Sequence, residues 1–490
     1  MKSATTTRES PVHPSYSTAA PLPPCLTTPV ADLATLLESV RSHQAGQVDL
    51  LEVEGQVREV VASIERAAVQ AVLAHLDIDA PHVVINGASH RRVGRHEASY
   101  LTGAGEVRVE RSLYRAGDGK AVSTVDVLGG IVGGWATPRA AQVACFLVAE
   151  TTPGMAEEML CRVGGMKPSR SSLDRLPKVV SEGWEAHRER YEAALDTDFR
   201  IPEEAASVAA SLDGVMVPMK DGDRAAKRAS RRAEGRPPSG PAGYREVGCG
   251  TLTLYDSEGN RLCTRRFARM PESGKGSLKR TLTRATVTVL ASHPHLRLAK
   301  VADGARDNWS FLTDQLPPGV EVLDYFHAVE HLTRALAAAY GESSAEFQRM
   351  HKRLRHKLRD DDQGVEKVIR SLRHLAKKHP KRKALRTELA YFRRNRHRMR
   401  YAQVAAQGLP IGSGVVEAAC KTLASTRMKR SGMRWRNHGG QAVLTFRALQ
   451  QSGDFDLAWR LLHHDRVGTA RVQQELPPAE RPRLIRQVAV

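Results

Sequence analysis

Between residues 206 and 330 the apolar pattern changes period several times, and this alternation constrains the fold more than any other feature of the chain. SVAASLDGVMV reads as a strand, and REVGCGTLTLYDSEGNRLCTRRFARM as a hairpin turning at Asp256-Ser257-Glu258-Gly259. KGSLKRTLTRATVTVLASH then repeats with a helical period, LRLAKVADG reads as a strand, RDNWSFLTDQL as a helix and VEVLDYFH as a strand entering a helix. The order strand, strand, strand, helix, strand, helix, strand predicts an α/β layer with a hairpin beside parallel strands. Sites in such sheets gather at the carboxyl ends of the strands.

Two carboxylates stand at those ends, Asp213 in SLDGV and Asp303 in ADGARDNW. A third, Glu417, lies in GSGVVEAACK, on a predicted helix opened by a glycine-serine turn. Hard oxygen ligands delivered in this way suit a pair of divalent cations roughly 3.5–4 Å apart, the arrangement that activates one oxygen and stabilises another in phosphoryl transfer. Asp307 rivals Asp303 from four residues further on, or caps the helix carrying Trp309; Asp324 and Glu330 are further substitutes. His327 and His331 are four apart, but Ala328 stands where a metalloprotease helix needs glutamate. Lys421, four residues after Glu417, reads either as a helical ion-pair partner or as a phosphate contact.

Charge indicates the partner. Lys and Arg number 74 against 54 Asp and Glu, for a net charge of +20 over 490 residues, which favours a polyanion. Residues 350–400 alone hold 19 Lys or Arg against 5 Asp or Glu, on a stretch that is helical by pattern. No apolar run approaches the ~20 residues needed to span a bilayer, and the polar, proline-rich start lacks a secretory h-region. A cytoplasmic, nucleoid-associated location without membrane contact is expected. The six cysteines are scattered without a C-x-x-C pair, which argues against a disulfide framework or a cysteine zinc site; Cys249 and Cys263 read either as a pair facing across the hairpin or, as the cytosol favours, as reduced, packed side chains.

The flanking regions read as follows. Residues 1–30 form a disordered tail rich in Pro, Ser and Thr. From 31 to 200 a mainly helical region contains a hairpin around Gly103-Ala104-Gly105 and short helices starting near Pro138, Pro153 and Pro168. The last two suit a helix-turn-helix with Ser169, Arg170, Ser171 and Ser172 at the front of its second helix, or a plain packing unit. DRAAKRASRRAEGRPPSGPAG reads as a mobile loop, and 461–490 as a C-terminal tail.

Asp213 in SLDGV, Asp303 in ADGARDNW, the DYFHAVEH run and GSGVVEAACKTLASTRMKRSGMRW together resemble DDE transposases of bacterial insertion sequences, most closely the Kra-type group within the Mutator-like set. The resemblance covers roughly residues 90–450. It implies an α/β RNase H-like catalytic core over 205–330 and 407–460, interrupted by an all-helical insertion, here the basic stretch 328–406. A helix-turn-helix-like DNA-binding region would precede the core. It also implies two Mg²⁺ or Mn²⁺ ions on Asp213, Asp303 and Glu417, with double-stranded DNA of element ends and target as partner, and a homodimer or larger assembly. Asp324 and His327 match a D-x-x-H pair near the element end. Lys421, Arg427, Lys429, Arg430, Arg434 and Trp435 are expected on DNA. The expected activity is binding of terminal inverted repeats, metal-dependent strand cleavage and strand transfer. An RNase H-like nuclease or resolvase without strand transfer, and a non-catalytic DNA-binding repressor, are the alternatives. One departure is that LYRAGDGK lacks the cysteine pair that related chains often carry after the hairpin, leaving the hairpin to hold itself by packing.

Overall fold

The computed structural model describes residues 22–220, 222–237 and 243–473. It is a mixed α/β structure with two sheets. The N-terminal sheet contains β1 (His82–Ile85), β2 (Ala88–Thr102) and β3 (Gly105–Arg115); the central sheet contains β4 (Ser207–Pro218), β5 (Tyr244–Tyr255), β6 (Arg261–Arg269), β7 (Arg297–Ala302) and β8 (Val320–Leu323). A last strand, β9 (Ala470–Val472), returns to the first sheet, whose order is β3-β2-β1-β9.

The central sheet has the order β6-β5-β4-β7-β8. β4, β5 and β6 are antiparallel neighbours, while β7 and β8 run parallel to β4. β7 and the first half of β4, Ser207–Leu212, are buried, as strands covered on both faces must be, while β4 opens partly to solvent from Asp213 onward. The helix Gly276–Ser292 packs Leu278, Leu282 and Ala285 against the sheet, and Arg306–Gln315 adds Trp309, Phe311 and Leu312. The helices Tyr325–Tyr340, Ala345–Asp360, Gly364–Lys378 and Lys383–Asn395 turn Leu332, Leu354, Val368, Leu372 and Phe392 into the same core and leave their basic faces outside.

The helices predicted from Pro138 and Pro153 run Pro138–Glu150 and Pro153–Val163, each with threonine at its N-cap: Thr137 accepts from Ala140 N–H and Thr152 from Met155 N–H. The third runs Arg170–Ala186 behind Ser169. These helices share a core with Asn437–Ser452 and Phe455–Arg466, through Leu173, Leu176, Trp184, Phe446 and Trp459.

Four readings change. The tail assigned to 1–30 falls partly on residues 1–21, outside the described residues, and partly on Pro24–Ser42, which is helical. The tail assigned to 461–490 likewise divides. Residues 474–490 lie outside, while the preceding ones finish the helix Phe455–Arg466 and supply β9, whose Arg471 lies opposite Val84. Within the basic segment after β4, Gly222–Ala233 forms a helix rather than a loop; residues 238–242 are outside the described set. Cys249 and Cys263 do not face each other, because the β5–β6 register sets Cys249 opposite Ala268 and Cys263 opposite Leu254.

Candidate active site

The parallel register brings three aspartates to one edge. Ser211 lies opposite Val301, and two residues further along each strand come Asp213 and Asp303. Ala302 lies opposite Leu323, so the next positions are Asp303 and Asp324, and Asp324 N–H donates to the Ala302 carbonyl at 2.8 Å. Asp303 and Asp324 follow the last residues of β7 and β8, whereas Asp213, expected at a strand end, sits within β4, which outruns its pairing with β7 at Ser211 and continues beside β5 as far as Pro218. The Asp303 side chain is held by Ala305 N–H at 3.1 Å and by the Asn308 amide at 3.2 Å; the same amide donates to the Leu212 carbonyl, tying the ends of β4 and β7 together. Asp307 points elsewhere, pairing with Lys279 at 3.0 Å with most of its side chain exposed.

Glu417 arrives from the short helix Gly414–Ala419. Ser413 joins it to the strand ends: its hydroxyl donates to Glu417 Oε1 at 2.6 Å, and its N–H donates to Asp324 Oδ2. Ligand atoms of Asp324, His327 and Glu417 all lie within 4.8 Å of one another, a group that does not include Asp213 or Asp303 and that would hold a cation only with His327 deprotonated. Lys421 is exposed and, among the described residues, pairs with no carboxylate; Glu417 turns to Ser413 instead. The helix widens into a π-helical turn over Cys420–Ser425, which shifts the i,i+4 register that an ion pair would need.

Electrostatics distinguish these acids. Burial raises the Asp213 carboxyl above its ordinary value, and the neighbouring Asp303 charge adds to the rise, against the Gly214 N–H that favours the anion. Asp324 goes the other way. Burial would raise it, but the hydrogen bonds from His327 and from the Ser413 backbone outweigh that cost and hold it below the usual range. The His327 imidazole, hydrogen-bonded to Asp324, is raised to about 9 and carries positive charge at neutral pH. Its side chain is 37% exposed, enough to meet an incoming group. Behind Asp213, hydrogen bonding with Cys249 and burial push the Cys420 thiol well up, so it donates to Asp213 Oδ2 at 3.7 Å as a neutral S–H. The Asp303 charge thus adds to the cost of ionising Asp213, which a bound cation would relieve.

The basic block follows Glu417 back along β4. Trp435 N–H donates to the Pro218 carbonyl at 3.0 Å and Lys220 N–H to the Trp435 carbonyl at 2.7 Å, so residues 427–435 lie beside the outgoing end of that strand. Lys429, Arg430 and Arg434 are exposed and Trp435 is half-buried. Two residues expected on DNA are buried instead. Asp324 is fully enclosed, and Arg427 is 2% exposed with its guanidinium on the Val148 carbonyl. They brace the site from inside. Sequence reading missed Asn308 and Ser413, although both sit within the quoted motifs; their roles depend on contacts across strands.

No family model matches this chain. No curated protein matches it either. Among solved structures, a chain of the "Drosophila P element transposase strand transfer complex" is similar at 12% identity, over 66% of this chain and 80% of that one, with a TM-score of 0.23. That overlap is too loose to define the fold.

Proposed function

We propose that this chain is a DNA transposase that binds the ends of its element and carries out metal-dependent strand cleavage and strand transfer on an RNase H-like core. The observation that supports this reading is the set of acids Asp213, Asp303 and Asp324 on adjacent strands, with Glu417 joined to Asp324 through Ser413 and a basic block running from Glu417 along β4. The strand order, antiparallel on one side of β4 and parallel on the other, supports the same core. Divalent cations on Asp213, Asp303 and Glu417 would acidify water and offset charge on a phosphodiester oxygen. Asn308 and Ser413 orient Asp303 and Glu417 for that role. His327, cationic through Asp324, faces the same space and stabilises negative charge on a phosphate brought there. The helices from 325 to 395 present their basic faces to the DNA backbone.

Asp303→Asn and Glu417→Gln test the assignment. Each should bind element-end DNA with wild-type affinity and leave it uncut in Mg²⁺. Full cleavage by either variant removes that residue from the site. A pre-cut 3′-end incubated with target DNA should give joined product; release of nicked DNA alone would favour a nuclease or resolvase.

A further inference from the structure

A cleft of about 1200 Å³ opens between the helix Arg170–Ala186 and the loop around Met433–Arg436. That exceeds the roughly 300–1,000 Å³ typical of small-molecule pockets. Arg170, Lys178, Lys220, Arg427, Arg434 and Arg436 line it, against the acids Glu157 and Asp174. Both acids are engaged: Asp174 with Lys178 at 2.5 Å, and Glu157 with the Arg170 N–H at 3.0 Å. Among the described residues, Lys220, Arg434 and Arg436 have no carboxylate partner. Arg427, in the wall, is the sharper observation. It is 2% exposed, and beside it Arg430 and Arg447 share its surroundings with, among the described residues, the carboxylate of Glu150, which pairs with Arg447 at 2.9 Å. Burial and those two guanidinium groups lower the Arg427 pKa to about 10. A buried cation short of counter-charge is expensive to maintain, and an anion in the cleft would supply that charge.

We propose that this cleft holds the phosphate backbone of DNA leading away from the carboxylates, joining the N-terminal helices and the central sheet in one binding track. This rests on the DNA reading above. Lys220 is seven residues beyond Asp213 along an extended strand, so the cleft is roughly 20 Å from the site at ~3.3 Å per residue. At ~3.4 Å per nucleotide step, the phosphates in question lie about six nucleotides from the reacting bond.

The test is the salt dependence of binding to a mixed-sequence DNA duplex by the full chain. Replacing exposed Lys220 and Arg434 together (Lys220→Gln with Arg434→Gln) should lower the slope of log K against log[salt] by about two, with the thermal midpoint unchanged. Asp303→Asn, assayed alongside, should keep the wild-type slope while losing cleavage. An unchanged slope in the double variant, with wild-type protein binding normally, overturns the cleft and leaves the DNA reading standing. Wild-type protein without salt-dependent DNA binding overturns the DNA reading itself, and the cleft with it.

Discussion

Two concentrations of like charge lie along β4. At one end of the strand's exposed stretch, Asp213, Asp303 and Asp324 crowd together; beyond it, Arg427, Arg430 and Arg447 gather around Glu150. Each cluster is held in a different way. The acids are supported by donors, from the Gly214, Ala305, His327 and Ser413 backbones, so that Asp324 stays ionised though fully enclosed. The guanidinium groups are held by carbonyls, Val148 for Arg427 and Leu423, Ala149 and Thr422 for Arg447. Carbonyls satisfy hydrogen bonds without cancelling charge. Both clusters therefore keep an electrostatic demand that an outside partner can meet, a cation at the acids and a phosphate at the arginines.

The largest expected effect separates function from stability at the negative cluster. If Asp213 holds a cation as proposed, Asp213→Asn should lower cleavage by about 10³-fold, since losing a metal carboxylate removes several kcal/mol of transition-state stabilisation. The same variant should raise the metal-free melting temperature at neutral pH. The Asp213 folded-state pKa is raised, so ionisation costs stability above the ordinary carboxylate range; the gain should vanish as pH falls below it, where the native side chain is protonated in both states. A melting temperature that drops at neutral pH would remove the repulsion argument.

Next in size is Arg447→Met in the positive cluster. It abandons three carbonyls and the Glu150 pair, and should cost about 2–4 kcal/mol in chemical denaturation. Arg427→Met, at an equally buried position, should stay within about 1 kcal/mol of wild type, because relief of repulsion from Arg430 and Arg447 offsets the lost Val148 contacts. Equal losses at the two positions would mean that Arg427 lacks the unmet charge inferred for it.

The smallest effect is a pH dependence at His327. Its folded-state pKa is raised to about 9, mainly by the hydrogen bond to Asp324, so its contribution to stability is full below the ordinary histidine value and is lost as pH rises through about 9. The gap in melting temperature between wild type and His327→Asn should therefore be widest near pH 6 and close above pH 9. A gap independent of pH would show that the ring acts by packing alone.

Much of the site was legible locally. An apolar run ending in Asp-Gly marks the strand end at Asp303, and the prolines mark the helices opening at Pro138 and Pro153; at Asp213 the same signal misleads, because β4 runs on through Gly214 to Pro218 beside β5. Asp324 also closes an apolar run, with Tyr325 rather than glycine after it, and its place depends on Ser413 N–H, 89 positions away. The exposed, charged first half of β2 has no alternating apolar pattern, and β1 and β9 are too short to show one. Arg427 reads from sequence like any arginine in a basic tail. Only its position under Val148, in a different region of the chain, makes it a buried cation.

By itself the sequence determined the element order of the central sheet and the excess of positive charge, because each depends on a local period or on composition. Tertiary structure decided which acids become neighbours, which of Asp303 and Asp307 faces them, and where unmet positive charge is enclosed. Those outcomes depend on strand register and on solvent exclusion between distant segments, and neither has a local signature.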